Sequence, residues 1–278
     1  KDAIPADLVT ARVETASGQI WSGVAIGYAV AALLVVIAGA FMIANDSAVA
    51  RTFFYLPLMQ DSFWLILKAF WLNVYIFVIA EVLVLVWGLL VAVARLIPGP
   101  AGQPIRLMAT VYTDIFRGLP AIICIYLVGF GLPLTGLPLI GNWPPEWYAI
   151  LALTLTYGAY VAEVYRAGIE SVHWSQVAAA RSLGLSFFQT LRFVVVPQAV
   201  RRIIPPLLND FISLQKDTAL VNVIGAVDAF NQAKIVASNH FNLSSVTTVA
   251  FLFVLITIPQ ARFVDRLLER EAKRTRAG

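Results

Sequence analysis

Apolar runs of about twenty residues recur along this chain, and they constrain its fold more than any other feature. The hydrocarbon core of a bilayer is about 30 Å thick, which a helix crosses in about twenty residues. Backbone in lipid must satisfy its own hydrogen bonds, so runs of this length are helices. Six spans are expected, at roughly residues 20–44, 69–94, 107–132, 147–169, 203–224 and 246–264. An amphipathic lead-in from Phe63 precedes the second, and Arg117-Gly118-Leu119-Pro120 interrupts the third. The fifth is the most polar.

Composition closes off the alternatives. The chain is 60% hydrophobic and 13% charged. A soluble domain carries about 25% charged residues, so half the charge needed to coat a soluble surface is missing. Disorder is excluded, because the chain is far too apolar. The single cysteine, Cys124, allows neither an internal disulfide nor a cysteine-based zinc cluster. His173 and His240 are far apart in sequence and support no metal site.

Lys and Arg set the orientation, since they concentrate in cytoplasmic segments. With the N-terminus inside, fifteen of the twenty positive residues fall in inner segments. Arg51, Lys68 and Lys234 fall outside, and Arg117 and Lys216 lie within spans. Both termini are therefore expected in the cytoplasm. The outer connection around Trp143-Pro144-Pro145 has no Lys or Arg, and its Trp143, Trp147 and Tyr148 suit an interfacial aromatic belt.

The inner segment between the fourth and fifth spans is too polar to cross and too regular for a plain loop. Ser175 to Leu183 reads as a short helix with Ser175 as N-cap, stopped by Gly184. Ser186-Phe187-Phe188-Gln189 has the form of a capping box and starts a second helix. Pro197 is expected to end it, because the residue before proline is pushed out of the α region. The result is a rigid helix-turn-helix with a small, alanine-rich face. It could dock another protein or lie on the membrane surface.

Ala178-Ala179-Ala180, three residues, Gly184, nine residues, then Val194-x-Val196-Pro197 resembles the EAA loop of ABC-importer permeases, which reads E-A-A, three, G, nine, I-x-L-P. The flanks resemble the polar amino acid branch of that family: Arg181-Ser-Leu-Gly-Leu-Ser186, Lys216-Asp217-Thr218-Ala219-Leu220, Phe116-Arg117-Gly118-Leu119-Pro120 and Ala159 to Arg166. The resemblance covers roughly residues 65–270. It implies an all-α membrane protein of the type I ABC importer permease fold. Residues 1–62 would be an N-terminal tail, an extra span and an outer loop. Residues 63–270 would be the permease domain, with its coupling loop at 175–197, and 271–278 a basic cytoplasmic tail.

The resemblance also implies a role and partners. The chain would be a permease subunit of an importer for a polar amino acid of the glutamate/glutamine group, in a bacterial inner membrane. Two ATP-binding subunits would dock at Ala178, Ala179, Ala180, Gly184, Leu185, Ser186 and Pro197. A second permease subunit, an external amino-acid-binding protein and membrane lipid complete the partners; nucleic acid is not among them. ATP and Mg belong to the partner ATPase, because this chain has no G-x-x-x-x-G-K-[ST] phosphate loop. It carries no enzymatic site or cofactor of its own. The family's glutamate is Ala178 here, which favours pairing with a different, homologous permease chain.

Ionisable residues within spans are costly and are functional candidates by default. Asn209, Ser213, Lys216 and Asp217 fall at i, i+4, i+7 and i+8, one helical face, just after Pro205-Pro206. That face could line a path, or Lys216 and Asp217 could simply pair near the outer interface. Tyr160 and Glu163 share a face of the fourth span, and Glu163 can pair with Arg166 three residues on. Glu81, mid-span, could meet a substrate ammonium or another helix. Arg117, beside Gly118 and Pro120, could meet a backbone carbonyl or a substrate carboxylate.

The alternative function is an ion-gradient-driven secondary amino acid transporter. It calls for halves of related sequence with broken helices in matching positions, and no such repeat is visible. An intramembrane enzyme calls for a clustered nucleophile or metal set, which is also missing from the sequence.

Overall fold

The computed structural model describes the backbone of residues 6–277 and the side chains of residues 24–41 and 43–269. The positive charges expected inside at Lys1, Arg12, Arg270, Lys273, Arg274 and Arg276 lie outside the described side chains. Among the described residues all regular structure is helical. The chain divides into two units, residues 1–55 and 56–278.

The first unit holds α1 (Ala6–Ala44) and α2 (Asp46–Phe53). Val24–Phe41 of α1 is apolar on every side and none of it is buried within the chain, as suits a helix surrounded by lipid. The short α2 has Asp46 in its first turn and Arg51 in its last, charges that complement the helix dipole.

The second unit begins with α3 (Leu56–Leu96). The expected amphipathic lead-in and second span are thus one continuous helix, starting seven residues before the expected boundary at 63. Its buried stripe runs through Leu58, Ser62, Ile66, Phe70, Asn73, Ile76, Ala80, Val84, Gly88 and Val91. Steps of three and four keep these on one face. Forty-one residues rise about 60 Å, roughly twice the bilayer core.

The third expected span is two helices. α4 (Gln103–Gly118) and α5 (Ala121–Leu134) meet at 106°. Leu119, before Pro120, is extended at φ −94° and ψ 130°, which is the constraint proline places on its predecessor. The interruption expected at Arg117–Pro120 within the segment 107–132 is thus a sharp break between two helices.

Behind these lies α6 (Pro145–Glu170), the central helix. It packs on α3, α4, α5 and α9 (Val196–Asp217). Ala149, Ile150, Leu153, Thr156, Tyr157, Val161 and Ala162 bury its different sides. Small residues let the neighbours close in. A Cβ on Gly88 would stand 2.7 Å from Val161 Cγ1, so α3 and α6 reach this spacing only with glycine there.

After α6 come α7 (Trp174–Ser182), α8 (Phe187–Thr190) and a five-residue π turn, Leu191–Val195, that leads into α9. A 3-10 segment, Thr218–Ile224, then α10 (Ala229–His240) and α11 (Ser244–Ala277) complete the unit. Asn73 ties them together. It donates to Asp228 (2.9 Å), the N-cap of α10, and to Thr218 (3.3 Å), and accepts from the Ala229 amide. All four groups are buried, and in hydrocarbon each needs such a partner.

All six expected segments are helical, but they differ in how they meet lipid. By length and apolarity, α1, α3 and α11 suffice to cross a bilayer, and the bent α4–α5 pair is apolar enough to form either a broken span or a re-entrant loop. α6 and α9 fall short of that measure. The reason is shielding: α6 is enclosed by other helices and so carries Thr154, Thr156, Tyr157, Tyr160 and Glu163, which lipid would not tolerate.

Candidate functional site

Two places combine chemistry with a built geometry. The first is the helix-turn-helix at residues 174–197. Gly184 takes φ +85°, a left-handed conformation that glycine adopts without steric cost. The Leu185 amide donates to Ala180 O (3.2 Å) and the Gly184 amide to Arg181 O (3.0 Å). This pair of bonds is the Schellman closure of a helix C-terminus. The next helix starts at once on the expected capping box. Ser186 Oγ accepts from the Gln189 amide (3.3 Å), and Gln189 Oε1 accepts from the Ser186 amide (2.8 Å).

Two details of this segment are corrected. The N-cap of α7 is His173, not Ser175: its Nδ1 accepts from the Ser175 amide at 3.3 Å and also meets Ser175 Oγ at 2.7 Å. Pro197 does not end the second helix. It lies in the first turn of α9, where its missing N–H costs nothing. The π turn just before it bonds Val196 N to Leu191 O, five residues back, which widens the turn and lets the helix run on.

The knob carries an apolar exterior. Trp174, Leu183, Phe187, Phe188 and Phe193 are all exposed. Ala178 and Ala179 are exposed between them, while Ala180 is buried. Its base is fixed to the bundle where Arg202 donates to Ser171 O and Gly168 closes on Ile203.

The second place is a polar pocket of about 260 Å³ lined by Ala121, Thr156, Tyr157, Tyr160, Asp210, Ser213 and Asp217. α5, α6 and α9 supply these residues. Tyr157 OH donates to Asp217 Oδ2 at 2.8 Å. Thr156 Oγ1 and Asp210 Oδ2 are buried with no partner. Two carboxylates and four hydroxyls line the pocket, and no Lys or Arg does. Such a lining can accept hydrogen bonds from a donor that carries positive charge.

Of the expected path residues, the structure gathers Tyr160, Ser213 and Asp217 here. Asn209 and Lys216 are exposed and outside the lining. The lining face of α9 is 210, 213 and 217, about one residue round from the face expected. Lys216 forms no ion pair with Asp217 among the described residues, and the acid bonds Tyr157 instead. Asp210 and Tyr157 were not singled out. Their signal was available: Asp210 is ionisable within a span and is three residues from Ser213, and Tyr157 is three from Tyr160.

Glu81 is half-buried and lies outside the pocket lining. Among the described residues it has no ion pair or hydrogen bond. Of its two expected roles, pairing with another helix is not formed among the described residues.

Glu163 and Arg117 sit beside the pocket. Glu163 is bound by Arg95 of α3 and by Arg166 one turn on, and Arg166 also binds Glu170. The expected Glu163–Arg166 pair is therefore present, extended across two helices. Arg117 Nη1 is 3.9 Å from Glu163 Oε2, and its guanidinium lies 5.9 Å from the centre of the Tyr160 ring. The carbonyl of Arg117 accepts from Tyr160 OH (3.2 Å). Among the described residues the guanidinium itself meets no carbonyl, contrary to one of the two expected roles.

A helical bundle with several helices of membrane-crossing length, a helix-turn-helix and a polar pocket between shielded helices suits a membrane permease. Residues 85–277 match the model of the family described as binding-protein-dependent transport system inner membrane component. The chain belongs to that family. It is 33% identical over 217 residues to the "Probable glutamine ABC transporter permease protein GlnM" of Bacillus subtilis, covering 78% of this chain and 97% of that one. It is 33% identical to the glutamate transport system permease protein GluC of Corynebacterium glutamicum, covering 74% and 94%. The arginine transport system permease protein ArtQ of Bacillus subtilis is 30% identical, over 75% and 92%. A solved structure, "Crystal structure of an amino acid ABC transporter with histidines", matches with a TM-score of 0.65 and 31% identity over 78% of this chain and 95% of that one. The expected family and its type I importer permease fold are thus established. The family match begins within α3, so it leaves out all of α1 and α2.

Proposed function

We propose that this chain is a translocating subunit of an ATP-driven importer for a polar amino acid of the glutamate/glutamine group, in the inner membrane of a bacterium with both termini in the cytoplasm. The observation that carries this reading is the knob at 174–197. It is a rigid, twice-capped turn with exposed aromatic side chains, and it continues through the π turn into α9, the helix that bears Asp210, Ser213 and Asp217. One continuous element therefore joins a protein-docking surface to a polar pocket. In this reading two ATP-binding subunits dock on the knob and use ATP and Mg there, and this chain hydrolyses nothing. A second, homologous permease chain completes the path and supplies the glutamate that Ala178 replaces. A binding protein delivers the amino acid from outside, and its ammonium enters the pocket of Asp210 and Asp217. Transport then requires that ATP and substrate each bias the same two-state element.

The test is purification of the tagged chain from its host in gentle detergent, with the co-purifying subunits identified. An ATP-binding subunit that is retained by the wild type and lost when residues 178–190 are scrambled supports the reading. A chain that purifies alone and catalyses gradient-driven uptake without ATP overturns it in favour of the secondary transporter.

A further inference from the structure

We propose that Arg117 is the carboxylate-binding arm of the pocket: it exchanges its loose contact with Glu163 for the free carboxylate of an α-amino acid whose ammonium rests on Asp210 and Asp217. This inference rests on the pocket being the substrate site, as argued above.

The argument begins with what the pocket lacks. Its wall holds carboxylates and hydroxyls but no cation. An α-amino acid carries both charges, and an uncompensated carboxylate beside two acids would be repelled and desolvated at once. A cation must come from the rim. Arg117 stands there, over the face of Tyr160, whose ring is pocket wall.

Arg117 is also the uncommitted member of its cluster. Glu163 Oε1 is bound by Arg166, and Oε2 by Arg95 and by Arg166 Nε at 3.3 Å. Arg117 approaches an oxygen that is already taken, at 3.9 Å, beyond hydrogen-bond distance. The side chains of Arg95 and Arg166 are 14% and 26% exposed, against 42% for Arg117. Its five donors are therefore largely free, in a fork that matches a carboxylate. Its backbone is held at the α4–α5 break by the Tyr160 hydroxyl, so the arm is anchored while its end can turn. Lys216 is the competing cation: it is next to Asp217 in sequence but exposed and outside the lining.

The consequence is a rule of specificity. The pocket accepts molecules with an adjacent ammonium and free carboxylate and rejects the corresponding α-amides, whatever the side chain. The test uses the complete detergent-purified complex without its binding protein, and equilibrium dialysis with labelled L-glutamine against unlabelled L-glutamine or L-glutaminamide. If L-glutamine is not retained, L-glutamate and L-arginine with their α-amides take its place. In the wild type the acid should displace the label at least about tenfold better than the amide, the size of one charge-assisted interaction. Arg117→Gln should weaken the acid by roughly tenfold to a hundredfold and leave the amide almost unmoved, so that the discrimination collapses. Arg117→Lys should keep part of it, and Lys216→Gln all of it. Undiminished discrimination in Arg117→Gln overturns the proposal and leaves the pocket intact. Its collapse in Lys216→Gln alone assigns the role to Lys216. If the wild type binds none of the three amino acids, the substrate pocket fails, and the proposal with it.

Discussion

Gly184 offers a graded test of whether the shape of the turn it forms, rather than its mere presence, couples ATP to transport. Its φ of +85° is left-handed, and a Cβ placed there would meet nothing within 4 Å. Substitution therefore costs only the backbone term, with no clash to confuse it. For an L-residue that term is about 1–2 kcal/mol, a factor of about five to thirty in the population of the closed turn. Asparagine tolerates this region, alanine pays the ordinary penalty, and a β-branched residue pays most. Coupling, measured as uptake per ATP hydrolysed in proteoliposomes holding the whole complex, should fall in the order Gly, Asn, Ala, Val. Assembly of the complex should be unchanged, since the hydrophobic exterior of the knob is untouched. If Gly184→Val couples like the wild type, or Gly184→Asn is as poor as Gly184→Val, turn geometry is not what transmits the motion.

Two further outcomes follow from the packing. Gly88→Leu should destabilise the bundle by about 1–3 kcal/mol through overpacking against Val161, read as a lower unfolding temperature in detergent, and Val161→Ala should recover part of the loss; a neutral Gly88→Leu would show that α3 and α6 do not pack this closely. Insertion of one alanine after Gln198 should rotate the knob by about 100° relative to Asp210 and Asp217, leaving ATP hydrolysis in place and abolishing uptake; preserved uptake would mean that the pocket is not driven through α9.

The helices were legible because lipid leaves a chain few choices. Every expected apolar run is helical, and the Arg117–Pro120 interruption fell at the actual break. The angle of that break was not legible, since proline fixes the backbone of Leu119 but not how α5 packs on α6. The turn at Gly184 was legible for a different reason: Gly184 and the Ser186/Gln189 box act locally, over three or four residues, and need no tertiary information. Where local rules failed, a different local partner had replaced the usual one. A histidine ring nitrogen can accept a hydrogen bond as a serine oxygen does, so His173 took the cap from Ser175. The π turn absorbed the steric demand of Pro197, and the rule that helices stop before proline lost to it.

The pocket was half legible, and the missing half has a single physical cause. Periodicity gives the spacing of a polar face but not its phase, because a polar residue can face a pocket or a partner with equal sequence logic. On α9 the residues at 209, 213, 216 and 217 and those at 210, 213 and 217 are both acceptable faces. Packing against α6 decided between them: Tyr157 reaches Asp217, which turns Asp210 inward and leaves Asn209 and Lys216 outside. The same reasoning explains Glu163. Its i, i+3 partner Arg166 was visible in the sequence, whereas Arg95 comes from a helix about seventy residues away and only the α3–α6 contact brings it there. That contact depends in turn on Gly88, a residue with no chemistry of its own. The electrostatics that leave Arg117 unclaimed beside the pocket are thus set by how closely two helices approach.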